Sequence, residues 1–187
     1  MQDRIEVAAI VGSLRRQSMN RALMRTSMLL APDTMRIVEV DIDRLPFYNE
    51  DVERDGDPAS VAELKSQLAR ADAVMIFTPE YCYSIPGVLK NALDWASRPE
   101  RRSVLKGKPV GIVGASVGRS GTMRAQLHLR QVLVQFGAIP MPSPEMYVTF
   151  GEGKFNALGE LTDSSSLDSL RQMLSALDRW TRTVGNG

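Results

Sequence analysis

The amino-acid sequence predicts an α/β fold in which a five-stranded parallel sheet lies between two layers of helices. Short, continuous apolar runs, which are typical of strands buried on both faces, alternate with segments of helical periodicity. Strict alternation of strand and helix favours right-handed crossovers and therefore a parallel sheet. The length of 187 residues suits one core, so we expect residues 1–187 to form a single domain.

The strands are predicted from apolar runs that end at glycine, proline or polar residues. The first four predicted strands are Ile5 to Val11, Met35 to Val40, Ala73 to Phe77 and Pro109 to Ala115. A fifth, proline-interrupted strand is predicted over Ala138 to Met141, with Met146 to Val148 as a candidate continuation. Its prolines favour the edge of the sheet, where a missing N–H is tolerated.

The helices are predicted from apolar positions three or four residues apart. They run from Asn20 to just before Pro32, from Asp57-Pro58 to about Ala71, from Gly87 to Ser97, from Thr122 to Phe136 and from Ser164 to Val184. Asp57 followed by Pro58 is a helix-start signal. The segment Leu45 to Asp57 is predicted to be a loop, and Phe150 to Gly159 a glycine-rich linker.

Five strands of this kind favour the flavodoxin-like order 2-1-3-4-5, a three-layer sandwich. In such sheets, ligands bind at the carboxyl ends of the strands near the switch point between the first and third strands. We therefore expect the loops that begin at Gly12, Pro79 and Ser116 to meet at one site.

The first loop, GSLRRQSMN, is suited to an anion. It leads from a strand into a helix, so backbone N–H groups and the positive end of the helix dipole face the site. Ser13, Ser18, Asn20 and Arg15 add side-chain donors, as a phosphate monoester requires. The alternative is that Ser18 caps the helix and the arginines are solvated.

The glycine pattern distinguishes between nucleotide types. The sequence has no G-x-x-x-x-G-K-[ST] motif, and no second and third glycine follow Gly12 to complete G-x-G-x-x-G. A mononucleotide is the better fit. A cysteine phosphatase would need its nucleophile in the first loop, but Cys82 follows the third strand.

The second loop, PEYCYSIP, places two aromatic residues beside backbone amides, which suits a flat heteroaromatic ring. The alternative is a rigid turn whose tyrosines cover the core.

Composition excludes several classes of function. The net charge is +1, and no basic stripe with interleaved aromatics appears, so we expect no nucleic-acid partner. No apolar stretch approaches the ~18 residues of a membrane span. The chain leads from Met1 directly into a strand-like run, and Cys82 is the single cysteine; a cytoplasmic location is the expectation.

Four segments in order resemble the NADPH-dependent FMN reductase family, which includes quinone, chromate and azo-dye reductases. They are Gly12 to Asn20, Leu45 to Asp51, Pro79 to Trp95 and Gly114 to Gln131. The resemblance implies that FMN is the cofactor and that Ser13, Arg15, Ser18 and Asn20 hold its phosphate, with Met19 contributing its backbone. It further implies that the isoalloxazine is lined by Pro79, Glu80, Tyr81, Cys82 and Tyr83, with Ser116 at the other side. Where this chain has Cys82, the family usually has Asn.

The expected activity is hydride transfer from NADPH or NADH through FMN to quinones, flavins or similar small acceptors, by a ping-pong scheme. Because FMN supplies the chemistry, no catalytic acid or base is assigned, and no metal site is expected. The aromatic-bearing loop Leu45 to Asp51 indicates a homodimer, with a homotetramer as an alternative. The competing hypotheses are a noncatalytic electron carrier of the flavodoxin type and an interaction protein without flavin.

Overall fold

The computed structural model describes residues 4–185, and the predicted lead-in at residues 1–3 lies outside the described residues. The strands are β1 (Ile5–Val11), β2 (Met35–Val40), β3 (Ala73–Phe77), β4 (Pro109–Ala115), β5 (Ile139–Pro140) and β6 (Met146–Val148). The helices are α1 (Met19–Leu30), α2 (Glu50–Asp55), α3 (Ala59–Arg70), α4 (Gly87–Ala96), α5 (Met123–Gln135) and α6 (Ser164–Gly185).

The sheet has the order β2-β1-β3-β4-β5, and every pairing in it is parallel. This confirms the predicted flavodoxin-like topology. Every residue of β3 and β4 is buried, as expected for strands covered on both faces.

Two hydrophobic cores cover the sheet. One contains the apolar faces of α3, α4 and α5, including Leu64, Leu93 and Leu129. The other contains α1 and α6, including Leu23 and Leu174. The apolar residues of a strand alternate between the two cores, as the two-residue period of a strand dictates.

The structure differs from the sequence prediction at two places. The segment predicted to be a loop contains α2, a helix with no buried residue and an acidic first turn. Its N-cap Asn49 accepts a hydrogen bond from the Asp51 N–H at 2.9 Å. The predicted fifth strand is two short strands, because Ile139–Pro140 pairs with the start of β4 and Met146–Val148 with its end.

No helix within residues 4–185 is long and apolar enough to cross a membrane. Over the same residues, no group of three or more His, Cys, Asp or Glu side chains is arranged to hold a metal ion.

Candidate functional site

The three predicted loops meet at the carboxyl ends of β1, β3 and β4. Gly12 donates its N–H to Phe77 at 2.8 Å, and Thr78 donates to Val113 at 3.0 Å, so each loop starts where its strand is held by a neighbour. A cleft of about 330 Å³ opens between the loops. It is lined by Ser13, Arg15, Ser18, Met19, Asn20, Pro79, Glu80, Tyr81, Ala115, Ser116 and Val117. Every predicted site residue except Cys82 and Tyr83 is among them.

One end of the cleft is the N-terminus of α1. Ser18 is the N-cap, and its Oγ accepts a hydrogen bond from the Arg21 N–H at 3.3 Å. No acidic residue lies in the first turn of α1, so nothing opposes the attraction of its positive dipole end for an anion. The capping role considered as an alternative is therefore real, but it uses the Ser18 oxygen as an acceptor and leaves the hydroxyl hydrogen available.

Ser13 and Arg15 lie beside this helix end. Ser13 is only 3% exposed, and within residues 4–185 its hydroxyl has no hydrogen-bond partner. Arg15 is exposed and donates from Nη2 to the Gln17 carbonyl at 3.2 Å. Ser13 lines the cleft, so its unpaired hydroxyl beside a helix N-terminus can donate to a phosphate oxygen.

Asn20 has a different role from the one predicted for its side chain. Its Nδ2 donates to the Ala115 carbonyl at 3.0 Å, and its Oδ1 accepts from the Ala115 N–H at 2.9 Å. The residue is 3% exposed, so both polar atoms are occupied in a dry environment. Asn20 therefore ties the first loop to the third, and only its backbone N–H remains for an anion at the helix end.

The other end of the cleft is the tight turn from Tyr81 to Ser84. Tyr81 and Ser84 exchange backbone hydrogen bonds of 3.0 and 2.9 Å. The two central residues, Cys82 and Tyr83, have φ angles of +49° and +65°, the signs of a type I′ turn. Cys82 is exposed, as is Tyr83 at 69%, and neither residue lines the cleft.

Glu80 fixes this turn to helix α5. Its Oε2 accepts hydrogen bonds from the N–H groups of Arg124 and Ala125 at 3.0 and 3.1 Å, and its Oε1 accepts from Arg124 Nε at 2.6 Å. The carboxylate is thus neutralised by a helix N-terminus and a guanidinium. A flavin carrying a phosphate can approach it without meeting an uncompensated negative charge.

Two side-chain contacts around the turn were not predicted from the sequence. The Arg124 guanidinium lies 4.0 Å from the centroid of the Tyr83 ring, a cation–π contact. Ser84 Oγ lies 2.7 Å from His128 Nδ1, which gives the only histidine of the sequence a structural role at the site rim.

Sequence reasoning missed the segment after β6 as part of the site. Gly151 donates its N–H to the Ser116 carbonyl at 2.9 Å. A Cβ on Gly151 would lie 2.6 Å from Met19 Sδ and 3.1 Å from that carbonyl. A side chain at this position would therefore displace Met19 and press on the third loop. The run of glycines at Gly151, Gly153 and Gly159 was the available signal.

The cleft as a whole fits a flavin mononucleotide. Its volume is within the ~300–1,000 Å³ of small-molecule sites. One end offers backbone N–H groups and the Ser13 hydroxyl, while the other is walled by Pro79, Tyr81 and Val117. This separation of polar and apolar surface matches a phosphate joined to a flat ring.

Comparison with known proteins agrees with this geometry. The family model described as NADPH-dependent FMN reductase matches residues 5–153. The NAD(P)H-dependent FMN reductase of Pseudomonas aeruginosa is 46% identical over 98% of this chain and 99% of that protein. The quinone reductase of Escherichia coli K12 is 40% identical over 98% and 99%.

A solved structure gives the same result. The flavoenzyme NAD(P)H:(acceptor) oxidoreductase of Paracoccus denitrificans superposes with a TM-score of 0.88 at 37% identity, covering 96% of this chain and 98% of that one. The chain therefore belongs to the NADPH-dependent FMN reductase family, and it is an FMN-dependent oxidoreductase that uses NAD(P)H as electron donor.

Proposed function

We propose that the cleft holds FMN with its phosphate at the N-terminus of α1 and its ring along Pro79 to Tyr83, and that the enzyme reduces quinones and similar small acceptors. The observation that carries the proposal is the Ser13 hydroxyl, which lines the cleft beside a helix end without acidic residues and has no hydrogen-bond partner in residues 4–185. The names of the relatives, an FMN reductase and a quinone reductase, support the acceptor class.

The phosphate is held by the Ser13 and Ser18 hydroxyls and by the backbone N–H groups of Met19 and Asn20. Arg15, which is exposed and bonds only within its own loop, swings from Gln17 to the phosphate. Cys82 and Tyr83 contribute through their backbone, because the turn aims their N–H groups at the ring edge.

The protein's contribution is binding and orientation. The ionisable side chains that line the cleft are Arg15, Glu80 and Tyr81, and Glu80 is occupied by α5. Bound FMN supplies the two-electron chemistry, accepting from the nicotinamide and passing to the acceptor. Donor and acceptor use the same opening beside Tyr81, which is 48% exposed, so they bind in turn and the kinetics are ping-pong.

A homodimer is part of the proposal. Phe47 is 85% exposed, while its loop is anchored by Trp95 Nε1 and Asn91 Nδ2, which both donate to the Pro46 carbonyl at 2.8 and 2.9 Å. A large apolar side chain held in place at the surface is available to pack against a second copy of the chain. Tyr48, the other aromatic residue of the loop, packs edge-on against Trp95 of its own chain. Of the two aromatic residues, we therefore expect only Phe47 to contact the second subunit. The single, unpaired cysteine supports a cytoplasmic location.

The first experiment is to load the purified protein with FMN, record its visible spectrum and add NADPH and then NADH anaerobically. We expect the flavin absorbance to bleach and to recover when 1,4-benzoquinone is added, with parallel double-reciprocal plots in the steady state. Bound flavin that neither nucleotide bleaches would support an electron carrier. The near-neutral net charge of the chain argues against that function, because electron carriers use a strongly acidic surface to attract their protein partners.

A matched pair of variants tests the phosphate site. Ser13→Ala is expected to weaken FMN binding about fivefold, the effect of one lost hydrogen bond. Ser60→Ala removes an exposed hydroxyl that bonds the Arg44 carbonyl and is the control. Equal FMN affinity in both variants would contradict the phosphate assignment. Light scattering of wild type and Phe47→Ser tests the homodimer. A wild type that is monomeric and active would contradict the homodimer.

A further inference from the structure

A second groove adjoins the FMN cleft along the outer face of α1. It has a volume of about 320 Å³ and lies between α1 and the segment from Phe155 to Gly159. Ser18 and Met19 line both the groove and the cleft. The groove and the cleft therefore lie on either side of the start of α1, within reach of one extended ligand.

The groove is strongly cationic. Arg16, Arg21 and Arg25 line it, and no Asp or Glu is among its lining residues. Arg21 is paired with Glu39. Arg16 and Arg25 are both exposed and have no ion pair or side-chain hydrogen bond with any group in residues 4–185, so both guanidinium groups are available to a bound anion.

The opposite wall is held in place by its own hydrogen bonds. Asn156 Oδ1 accepts from the N–H groups of Leu158 and Glu160 at 3.0 and 2.9 Å. Glu160, the acid of this segment, accepts from Asn156 Nδ2 at 2.8 Å and does not line the groove. Leu158 is 81% exposed on this fixed turn, which provides an apolar surface beside the arginines for a flat base.

The chemistry of the groove identifies its ligand among the groups that this enzyme must bind. NADPH and NADH differ by one phosphate on the 2′-oxygen of the adenosine ribose. Sites that read the free 2′-hydroxyl of NADH use a carboxylate, whereas sites that read the 2′-phosphate use arginine. A groove with two unpaired arginines and no carboxylate therefore favours NADPH, which carries the phosphate, over NADH, which lacks it.

We propose that Arg16 and Arg25 bind the 2′-phosphate of NADPH, with the adenine against Leu158, and that this groove makes the enzyme prefer NADPH to NADH. The proposal rests on the proposed function, because the nicotinamide must reach the cleft. It assigns specificity to residues that are remote from the ring and have no part in holding FMN.

Equilibrium binding of two fragments to the FMN-loaded protein tests the proposal without any turnover. Adenosine 2′,5′-bisphosphate and adenosine 5′-monophosphate differ by the 2′-phosphate alone. We expect calorimetry to give the bisphosphate an affinity at least about tenfold higher, and Arg25→Ala or Arg16→Ala to lower that ratio about tenfold, as expected for a lost charge-assisted hydrogen bond.

The control is Arg70→Ala, an exposed helical arginine on α3, on the other side of the sheet. It is expected to keep the wild-type ratio. A wild-type ratio near one, or a ratio that both groove variants leave unchanged, overturns the assignment.

The absorbance of bound flavin separates the two proposals. Suppose that the protein retains FMN, that both nucleotides bleach the flavin and that the affinity ratio of the two fragments is near one. This result contradicts the assignment of the groove and leaves the proposed function standing. A protein that binds no FMN contradicts the proposed function, and the groove assignment fails with it.

Discussion

The Glu80 carboxylate receives two backbone N–H groups at the start of α5, from Arg124 and Ala125, while its other oxygen bonds the Arg124 guanidinium. The side chain is only 7% exposed. One residue of the flavin loop thus serves as the anchor of a helix that begins 43 residues later.

We expect Glu80→Gln to lower the free energy of unfolding by about 2 kcal/mol, because it removes the charge from three hydrogen bonds at a helix N-terminus. Urea unfolding measures this. The control is Glu63→Gln, an exposed helical position that accepts from Gln67. Equal urea midpoints for the two variants would show that the Glu80 carboxylate contributes no stability through these hydrogen bonds.

The backbone at Cys82 suits the asparagine that the family resemblance implies at this position. At φ +49° a branched or bulky side chain is strained, whereas asparagine visits this region readily. We expect Cys82→Asn to raise stability by about 1 kcal/mol, or roughly 2–4 °C in Tm. FMN affinity is expected to change little.

Cys82→Ala is the matched control for Cys82→Asn, since alanine gains nothing at positive φ; it should melt close to wild type. A large rise in FMN affinity in Cys82→Asn alone would instead indicate that the amide side chain contacts the flavin.

Gly151 is expected to control FMN affinity although it does not line the cleft. The Cβ of Gly151→Ala would lie 2.6 Å from Met19 Sδ, so the Met19 side chain, which lines the cleft, must move. A shift at the phosphate end should raise the Kd for FMN about tenfold, as measured by fluorescence quenching on titration.

Gly153→Ala, two residues on, is the control for Gly151→Ala, because its Cβ would meet nothing within 4 Å. If both variants bind FMN like wild type, the segment after β6 does not position α1.

Acid stability should depend on Asp163, which precedes α6. Hydrogen bonds from the Ser166 hydroxyl, the Ser165 hydroxyl and the Ser166 N–H lower the pKa of Asp163 to about 2. Because the folded pKa lies below the unfolded value of about 3.9, the stabilisation is complete above pH 4 and is lost as the pH falls towards 2.

The difference in unfolding free energy between wild type and Asp163→Asn should therefore shrink between pH 5 and pH 2. Ser169→Ala, which removes a hydroxyl of the same helix that bonds the Ser165 carbonyl, should keep the wild-type slope. A difference that is constant across this range would contradict the assignment.

The four long strands were predictable because their residues are apolar without interruption, and the structure gives the predicted bounds for each of them. Helix α2 was not, since it buries no residue and has no apolar stripe to detect. The fifth strand was predicted as one element, but its two halves pair with opposite ends of β4, a register that local sequence does not encode.

The sequence predicted which loops form the site, but not which hydrogen bonds their side chains make. Loop convergence follows from topology. By contrast, the sequence predicted the Asn20 amide to be a donor to the ligand, whereas its partner Ala115 is 95 residues away. Nothing in the linker composition shows that Gly151 touches Met19 either, because that contact depends on where β6 ends.

The double hydrogen bond between Asn20 and Ala115 has a consequence for how the cleft works. It holds two of the three walls, the first and third loops, at a fixed separation. The tyrosine turn on the far wall is fixed separately, through Glu80 and α5. The two ends of the cleft are therefore tied by different contacts, so substitutions around Tyr81 should change the range of oxidants without loosening the end at α1.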